Sequence, residues 1–282
     1  MINQHIQSLN LKRMKSIGRI FGVIVLIFAL NSCDYIENLG LTDEQIVAGL
    51  KEALEIGTDT AVAKLSAVNG YYKGDIINVK IPLPDEAEYI RNLITSNNKL
   101  ADVINLDSYF ENVVKSVNRA AEYAATSAAP IFVTAITNIS FTDAVSILDG
   151  DNPNTTSVEK SQTAATEYFK DVTYVNLVDL FAPHIDDALD QDLGLGFSAV
   201  DAWEALTSKY NSLVSSWVVQ AALLALPDVN LPNKINDDLG EFCTGKALDG
   251  LFFKVGEEEK QIREDPFQWA SQTIQDVFGS VL

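Results

Sequence analysis

Helical spacing of apolar residues is the feature that most constrains the fold of this chain. After residue 42, apolar side chains recur three and four positions apart in one segment after another, which is the period of an amphipathic helix. Thr42 and Gln45 form a predicted capping box before the first such segment. Residues 79–81 alternate before two nearby prolines and form the one short extended stretch. We therefore predict an all-α, multi-helix bundle with at most one short extended segment near 79–81.

The first 32 residues contain the parts of a secretory signal in their usual order. Residues 12–19 hold four basic residues and no acid, and residues 20–30 are apolar except for Gly22. A bilayer-spanning helix needs about 20 apolar residues, so this shorter run indicates a cleaved signal rather than a permanent anchor helix. The run ends in Leu30-Asn31-Ser32-Cys33, which resembles the bacterial lipobox.

The lipobox resemblance implies that a diacylglyceryl group is attached to the sulfur of Cys33, that the chain is cleaved before Cys33 and that the new amine is acylated. Two or more acyl chains hold a protein durably on a membrane. We therefore predict a lipoprotein signal peptide at residues 1–32, a tether at 33–41 and a single helical domain at 42–282. The predicted location is the bacterial cell envelope, facing the periplasm or the cell surface. An uncleaved anchor helix with an incidental cysteine is the alternative.

The charge of the chain excludes one class of partner. Acids outnumber bases by 39 to 20, which gives a net charge of −19. Residues 1–32 hold four bases and no acid, so the net charge of the processed chain is −23. Such a surface repels phosphate backbones, and we expect no nucleic-acid partner. The expected partners are the membrane, through the acyl chains on Cys33, and an envelope protein or an apolar small molecule.

Residues suited to catalysis or metal binding are few. The chain has two histidines and two cysteines, and Cys33 is assigned to lipid. Cys243 lies within a helical pattern and is predicted to be a buried, inert thiol. His184 and Asp187 lie one turn apart, but one histidine without a thiolate favours a solvated helix end over a metal site. A loop beginning at Asp149 lacks the calcium ligands that EF-hand spacing requires. We predict no catalytic residue, metal or cofactor.

Two segments near the C-terminus give specific predictions of burial. The apolar run at residues 217–226 is too short to cross a membrane and predicts a core helix. The acidic run at residues 257–260 predicts a solvated face. Opposite charges four residues apart predict two ion pairs there, Lys254–Glu258 and Glu259–Arg263.

Several segments together carry a family resemblance. They are DEQIVAGLKEAL at 43–54, VKIPLP at 79–84, NRAAE at 118–122, SFTDA at 140–144, AATEYF at 164–169, KALDGLFF at 246–253 and EEEK at 257–260. In this order they resemble the bacterial family called domain of unknown function 4197. The chain departs from the family pattern in the loop at 149–160 and in the acidic stretch at 184–192. The resemblance implies a helical, exported and often lipid-anchored protein, and it supplies no activity, cofactor or site residue.

Polar residues within these matched segments are candidates for a shared polar network. They are Arg119, Glu122, Asp143, Lys246, Asp249 and Glu258. Salt bridging between helices is the alternative explanation for their presence.

Three hypotheses for function follow from the sequence. The first, which we favour, is a membrane-anchored module that binds a partner or an apolar ligand without chemistry. The second is a hydrolase or lyase that uses carboxylates alone, which would require a deep pocket with two close carboxylates and one raised pKa. The third is a structural envelope scaffold, which a broad exposed apolar patch would favour.

Overall fold

The computed structural model describes residues 40–73, 78–154, 160–235 and 238–282. Within these ranges the chain forms ten α-helices and one 3-10 helix, and it contains no β-strand. The predicted all-α fold is therefore confirmed. The stretch at 79–81 is irregular, with Val79 and Ile81 buried and Lys80 half-buried between them. The predicted signal peptide and Cys33 lie outside the described residues.

The helices are numbered here in chain order. They are α1 (Asp43–Leu65), α2 (Asp85–Thr95), α3 (Asn98–Ala101), α4 (Asp107–Asn138), α5 (Ala144–Leu148), α6 (Ala164–Leu189), α7 (Ala199–Val214), α8 (Trp217–Leu224), α9 (Leu239–Glu264) and α10 (Gln272–Gly279), with the 3-10 helix at Pro266–Gln268. Among these helices, none has the combination of length and apolar character needed to cross a bilayer.

The four longest helices surround the core. Helix α1 packs against α4 and α9, and α6 packs against the same two helices, so the four form a closed ring around shared apolar side chains. Phe132 of α4, Phe169 of α6 and Phe252 of α9 meet at the centre, with ring centroids 5.2 to 5.7 Å apart. These aromatic contacts join three of the four helices in one buried cluster.

Helix α1 begins as its sequence predicts. The backbone N–H of Thr42 donates to the side chain of Gln45 at 2.8 Å, and the backbone N–H of Gln45 donates to the Thr42 hydroxyl at 3.3 Å. The helix continues through Gly57, which lies where α9 crosses it. A Cβ atom at Gly57 would lie 3.0 Å from Cγ1 of Val255, so the glycine allows the two helices to approach closely.

Helix α6 is capped by a side chain from another helix. Its own N-cap residue, Thr163, makes no side-chain capping hydrogen bond. Instead, the fully buried carboxylate of Glu259 on α9 accepts from the backbone N–H groups of Ala165 and Thr166 at 3.0 and 2.7 Å, and from the Thr166 hydroxyl at 2.6 Å. The unpaired N–H groups and the positive end of the helix dipole stabilise a negative charge at this position.

Arg263 neutralises Glu259 and joins it to helix α5. The Nε atom of Arg263 donates to Glu259 at 2.9 Å, which confirms the predicted i,i+4 pair. Its two terminal nitrogens donate to the carbonyl oxygens of Leu148 and Ile147 at 2.6 and 3.0 Å. Because these carbonyls end α5, the Glu259–Arg263 pair holds the end of α5 beside the start of α6.

The predicted solvated face at residues 257–260 is wrong for two of its glutamates. Glu258 and Glu259 are buried, because α1 and α6 cover this side of α9. The predicted Lys254–Glu258 pair is also wrong. Lys254 donates to Glu257 at 2.5 Å, and Glu258 instead forms an ion pair with Lys64 of α1.

The predicted core helix at residues 217–226 is wrong as well. Helix α8 lies outside the four-helix core, and its main contacts among the helices are with the small α3 and with α7. Val219 is its one fully buried residue, whereas Trp217 and Leu224 are 80% and 88% exposed. Apolar composition indicated a helix correctly here, but it did not determine what covers that helix.

Removal of the Glu259 carboxylate tests how strongly the fold depends on it. We expect Glu259→Ala to lower the free energy of unfolding by about 3–5 kcal/mol, because Arg263 is left buried without its counter-charge. The matched control is Glu264→Ala, since Glu264 lies 3.8 Å from Lys260 in an exposed pair and should contribute less than about 1 kcal/mol. Urea denaturation followed by circular dichroism measures both values. Equal losses in the two variants would contradict the assigned role.

Candidate functional site

A groove of about 850 Å³ lies along one face of α9. This volume falls within the range of about 300–1,000 Å³ that is typical of small-molecule sites. Three parts of the chain line the groove: α9 forms the floor, the segment at residues 78–82 forms one wall, and the start of α6 with the residue before it forms the other.

The floor comes from residues that helical spacing places on one face of α9. Its side chains recur three and four positions apart, which aligns them along the helix. Gly256 keeps this floor close to α6, because a Cβ atom there would lie 3.1 Å from Cγ2 of Thr163. The floor residues are Lys246, Asp249, Phe252, Phe253, Gly256, Glu257 and Lys260.

The α6 wall is held in place by the Glu259 cap described above. Thr166 lines the groove, and Glu259 binds both its backbone N–H and its hydroxyl. One turn further along, Lys170 donates to Asp249 on the floor at 2.7 Å. The Nζ atom of Lys170 also lies 5.1 Å from the ring centroid of Tyr174. Burial, and next the nearby charge of Asp249, raise the pKa of Tyr174.

The wall formed by residues 78–82 is fixed by a buried asparagine. Asn118 of α4 accepts from the backbone N–H of Ile81 at 2.9 Å and donates to the Ile81 carbonyl at 2.7 Å. The amide thus satisfies both backbone groups of an irregular segment, which would otherwise be buried without partners. Val79 and Ile81 point into the core, and Lys80 between them lines the groove. The Nζ atom of Lys80 lies 4.6 Å from the ring centroid of Tyr72.

The groove concentrates positive charge in an acidic protein. Of the 20 lysines and arginines in the chain, four lie in residues 1–32 and another four line this groove. The four groove lysines are Lys80, Lys170, Lys246 and Lys260. Three carboxylates accompany them, those of Glu167, Asp249 and Glu257.

The predicted polar residues on α4 and α5 lie outside the groove. Arg119 donates to the buried carboxylate of Glu122 at 2.7 Å, and the backbone N–H of Tyr72 donates to the same carboxylate at 3.3 Å. Glu122 therefore helps to hold the segment that precedes the wall at residues 78–82. Asp143 is the N-cap of α5 and accepts from the backbone N–H of Ser146 at 3.0 Å.

The predicted polar residues on α9 divide between two places. Lys246 and Asp249 line the groove, whereas Glu258 faces α1 and pairs with Lys64. The hydrogen bonds and ion pairs of the six candidates thus lie in different parts of the structure, and two of the candidates line the groove.

Sequence reasoning missed three lysines of the groove, Lys80, Lys170 and Lys260. Lys260 was detectable from its spacing to Lys246 along one helix face, but the other two lie in distant segments.

The carboxylate whose pKa is raised, that of Asp186, lies outside the groove. Partial loss of solvent, and next the charges of Asp238, Asp190 and Asp187, raise the pKa of Asp186. Asp238 borders an acidic hollow of about 400 Å³ beside the groove, but the side chain of Asp186 is exposed and does not line that hollow. This arrangement differs from the shared pocket that the hypothesis of a carboxylate enzyme requires.

The thiol of Cys243 and any cluster of metal ligands are the remaining candidates for chemistry. Cys243 is a buried, free thiol, and burial followed by the charges of Asp186 and Asp238 raises its pKa. Within the described parts of the chain, no group of three or more histidine, cysteine, aspartate or glutamate side chains is arranged to hold a metal ion.

Comparison with known proteins identifies the family. A family model described as "Protein of unknown function (DUF4197)" matches residues 40–279. The chain belongs to the DUF4197 family. Searches among curated proteins and among solved structures find no match. The segments that carried the DUF4197 resemblance contribute to all three sides of the groove, through residues 79–84, 164–169 and 246–253.

We expect the Asn118 amide to control the position of the groove wall at residues 78–82. Asn118→Ala removes both hydrogen bonds to Ile81, which should destabilise the protein by about 1–3 kcal/mol and speed hydrogen exchange at the Ile81 amide. Asn138→Ala is the matched control, because Asn138 is an exposed residue of the same helix. Residue-resolved hydrogen exchange measures the effect. An Ile81 amide that is equally protected in both variants would show that Asn118 does not hold the segment.

Proposed function

We propose that this DUF4197 protein is a lipid-anchored protein of the bacterial envelope that binds a small ligand in the groove without transforming it. The supporting observation is the groove itself, which combines apolar surface at Pro82 and Phe253 with four lysines on its floor and walls. Ligand sites are typically concave surfaces that pair apolar lining with a few polar groups.

The partners of the groove carboxylates favour binding over acid–base chemistry. Glu167 accepts from the hydroxyls of Ser161 and Thr163 at 2.5 and 2.7 Å. Asp249 accepts from Lys170, and Glu257 accepts from Lys254 at 2.5 Å. Each carboxylate is therefore engaged by donors of the protein itself, whereas a general base must reach a proton of its substrate.

The proposed anchor is Cys33, where the lipobox-like residues end. The nine residues from 33 to 41 would extend at most about 30 Å, so the helical bundle would stay close to the membrane surface. The net charge of −23 after processing makes acyl chains, rather than the protein surface, the expected means of attachment. The bundle would face the periplasm or the cell surface.

Replacement of Cys33 tests the anchor separately from the groove. We expect the intact protein from cells to begin at Cys33 and to carry the mass of its acyl chains, and to partition into the detergent phase of a Triton X-114 extract. Cys33→Ala should abolish the added mass and the cleavage. Cys243→Ala is the control, since it removes the other cysteine and should leave the lipid in place. An N-terminal peptide that begins at either methionine with a free thiol would refute the proposal.

A structural scaffold is the second candidate, and α8 favours it. Trp217, Val218 and Leu224 expose apolar surface on this helix. Between Lys209 and Lys234 the chain has a single charged residue, Asp228, so this region lacks the charge that covers most of the protein. Uncharged apolar patches of this kind are common at protein interfaces.

Substitution on α8 distinguishes the scaffold from the ligand-binding protein. If the protein is a scaffold, Trp217→Ser combined with Leu224→Ser should reduce the mass of its native complex in a neutral-detergent extract to that of a monomer. Val68→Ser is the matched control, because Val68 is 73% exposed and lies far from α8 in the chain. Native gel electrophoresis reads the mass. An unchanged migration in the double variant would exclude α8 as the assembly surface.

A further inference from the structure

The groove has a distribution of charge that specifies the chemistry of its ligand, if the proposed binding function holds. Its three carboxylates are occupied by donors of the protein, as described above. Two of its lysines differ in this respect. Within the described residues, Lys80 and Lys246 form no ion pair with a carboxylate and instead lie over aromatic rings, at 4.6 Å from the centroid of Tyr72 and 5.7 Å from that of Phe242.

A third lysine is only loosely paired. The Nζ atom of Lys260 lies 3.8 Å from a carboxylate oxygen of Glu264, beyond hydrogen-bonding distance, and both side chains are more than half exposed. Such a pair contributes little and is readily exchanged for a better acceptor. Lys260 lies about 21 Å along α9 from Lys246, so one anion cannot engage both. The carbonyl oxygen of Val79 lies 3.5 Å from the Cβ position of Gly250, which places Lys80 nearer to Lys246. The ammonium groups of Lys80 and Lys246 are thus the pair available to one anion in the groove.

Neighbouring acids restrict that anion to the groove. Asp85, Asp238 and Glu241 line the acidic hollow on the other side of Lys246 and repel a negative charge there. Near Lys80, Glu111 accepts a hydrogen bond from the Tyr72 hydroxyl, which is the largest cause of its lowered pKa, and the charges of Lys115 and Lys80 lower that pKa as well. The groove is therefore the side on which these lysines can engage a ligand.

The apolar lining adds a second requirement. Pro82 and the half-buried Phe253 expose apolar surface in the same groove as the lysines, whereas Val79 and Phe252 border it but are buried in the core. A small inorganic anion would leave this surface exposed to water, whereas an alkyl or aromatic group attached to the anion would cover it. Lysine ammonium groups are common ligands of phosphate, which accepts several hydrogen bonds at once.

We propose that the groove binds a phosphate-bearing amphiphile, with the phosphate held by Lys80 and Lys246 and the apolar part resting on Phe253. A lipid headgroup and a soluble ester both satisfy this chemistry, because both present the same phosphate oxygens to the lysines.

Calorimetric titration of the full chain in neutral detergent with three probes tests this proposal. The probes are hexyl phosphate, hexanol and inorganic phosphate. We expect hexyl phosphate to bind at least about tenfold more tightly than either of the others, and the combined Lys80→Gln and Lys246→Gln variant to lose about tenfold or more of that affinity. Lys209→Gln is the control, since Lys209 is an exposed lysine of α7 and should bind hexyl phosphate as the unsubstituted chain does.

Each other result has a defined meaning. Equal binding of hexyl phosphate and hexanol would overturn the phosphate site while leaving a groove for apolar ligands. Equal binding of hexyl phosphate and inorganic phosphate would overturn the amphiphile. No binding of any probe would overturn the groove as a ligand site altogether. Native mass spectrometry distinguishes the two sources of phosphate. A co-purified phospholipid that hexyl phosphate displaces indicates a lipid headgroup, whereas a groove that is empty before titration indicates a soluble ester. Both results uphold the phosphate site.

Discussion

The buried pair of Glu259 and Arg263 is the interaction on which the rest of this structure depends. Burying two charges is costly, and the cost is offset only when every remaining donor and acceptor finds a partner. Here the carboxylate meets the free N–H groups that begin α6, and the guanidinium meets the carbonyls that end α5. One pair of side chains therefore satisfies the ends of two helices. It also fixes where α6 begins, and hence where Thr166 and Lys170 stand beside the groove.

The opposite wall depends on a similar device. Residues 79–81 have neither helical nor sheet hydrogen bonds, and the amide of Asn118 supplies what a neighbouring strand would supply elsewhere. Because Ile81 is held on both its N–H and its carbonyl, the side chain of Lys80 must leave the core on the groove side. Both walls are thus positioned by buried polar side chains from long helices, which makes the groove part of the packed structure rather than a gap between loops.

The fold could be predicted from sequence because helical period is a local property, and the capping box at Thr42 is equally local. Burial could not, because it depends on what lies across from a face. Glu258 and Glu259 have the sequence pattern of a solvated surface, yet α1 and α6 cover them. Trp217 and Leu224 have the pattern of a core, yet nothing among the described residues covers them. The groove could not be predicted for a related reason. Lys80, Lys170 and Lys246 come from segments far apart in the chain, and only tertiary packing brings those segments to one groove.

The overall charge explains why such a groove needs two kinds of contact. A processed chain of net charge −23 repels anions at long range, and screening by salt reduces this repulsion more than it reduces contacts at hydrogen-bonding distance. Lysines held over aromatic rings provide attraction only once an anion has entered. Apolar contact with Phe253 does not depend on the negative charge of the protein, so it can stabilise a bound amphiphile despite that repulsion. A ligand with both parts gains from both effects, whereas a bare anion meets the repulsion without compensation and a neutral apolar molecule leaves the lysines unpaired.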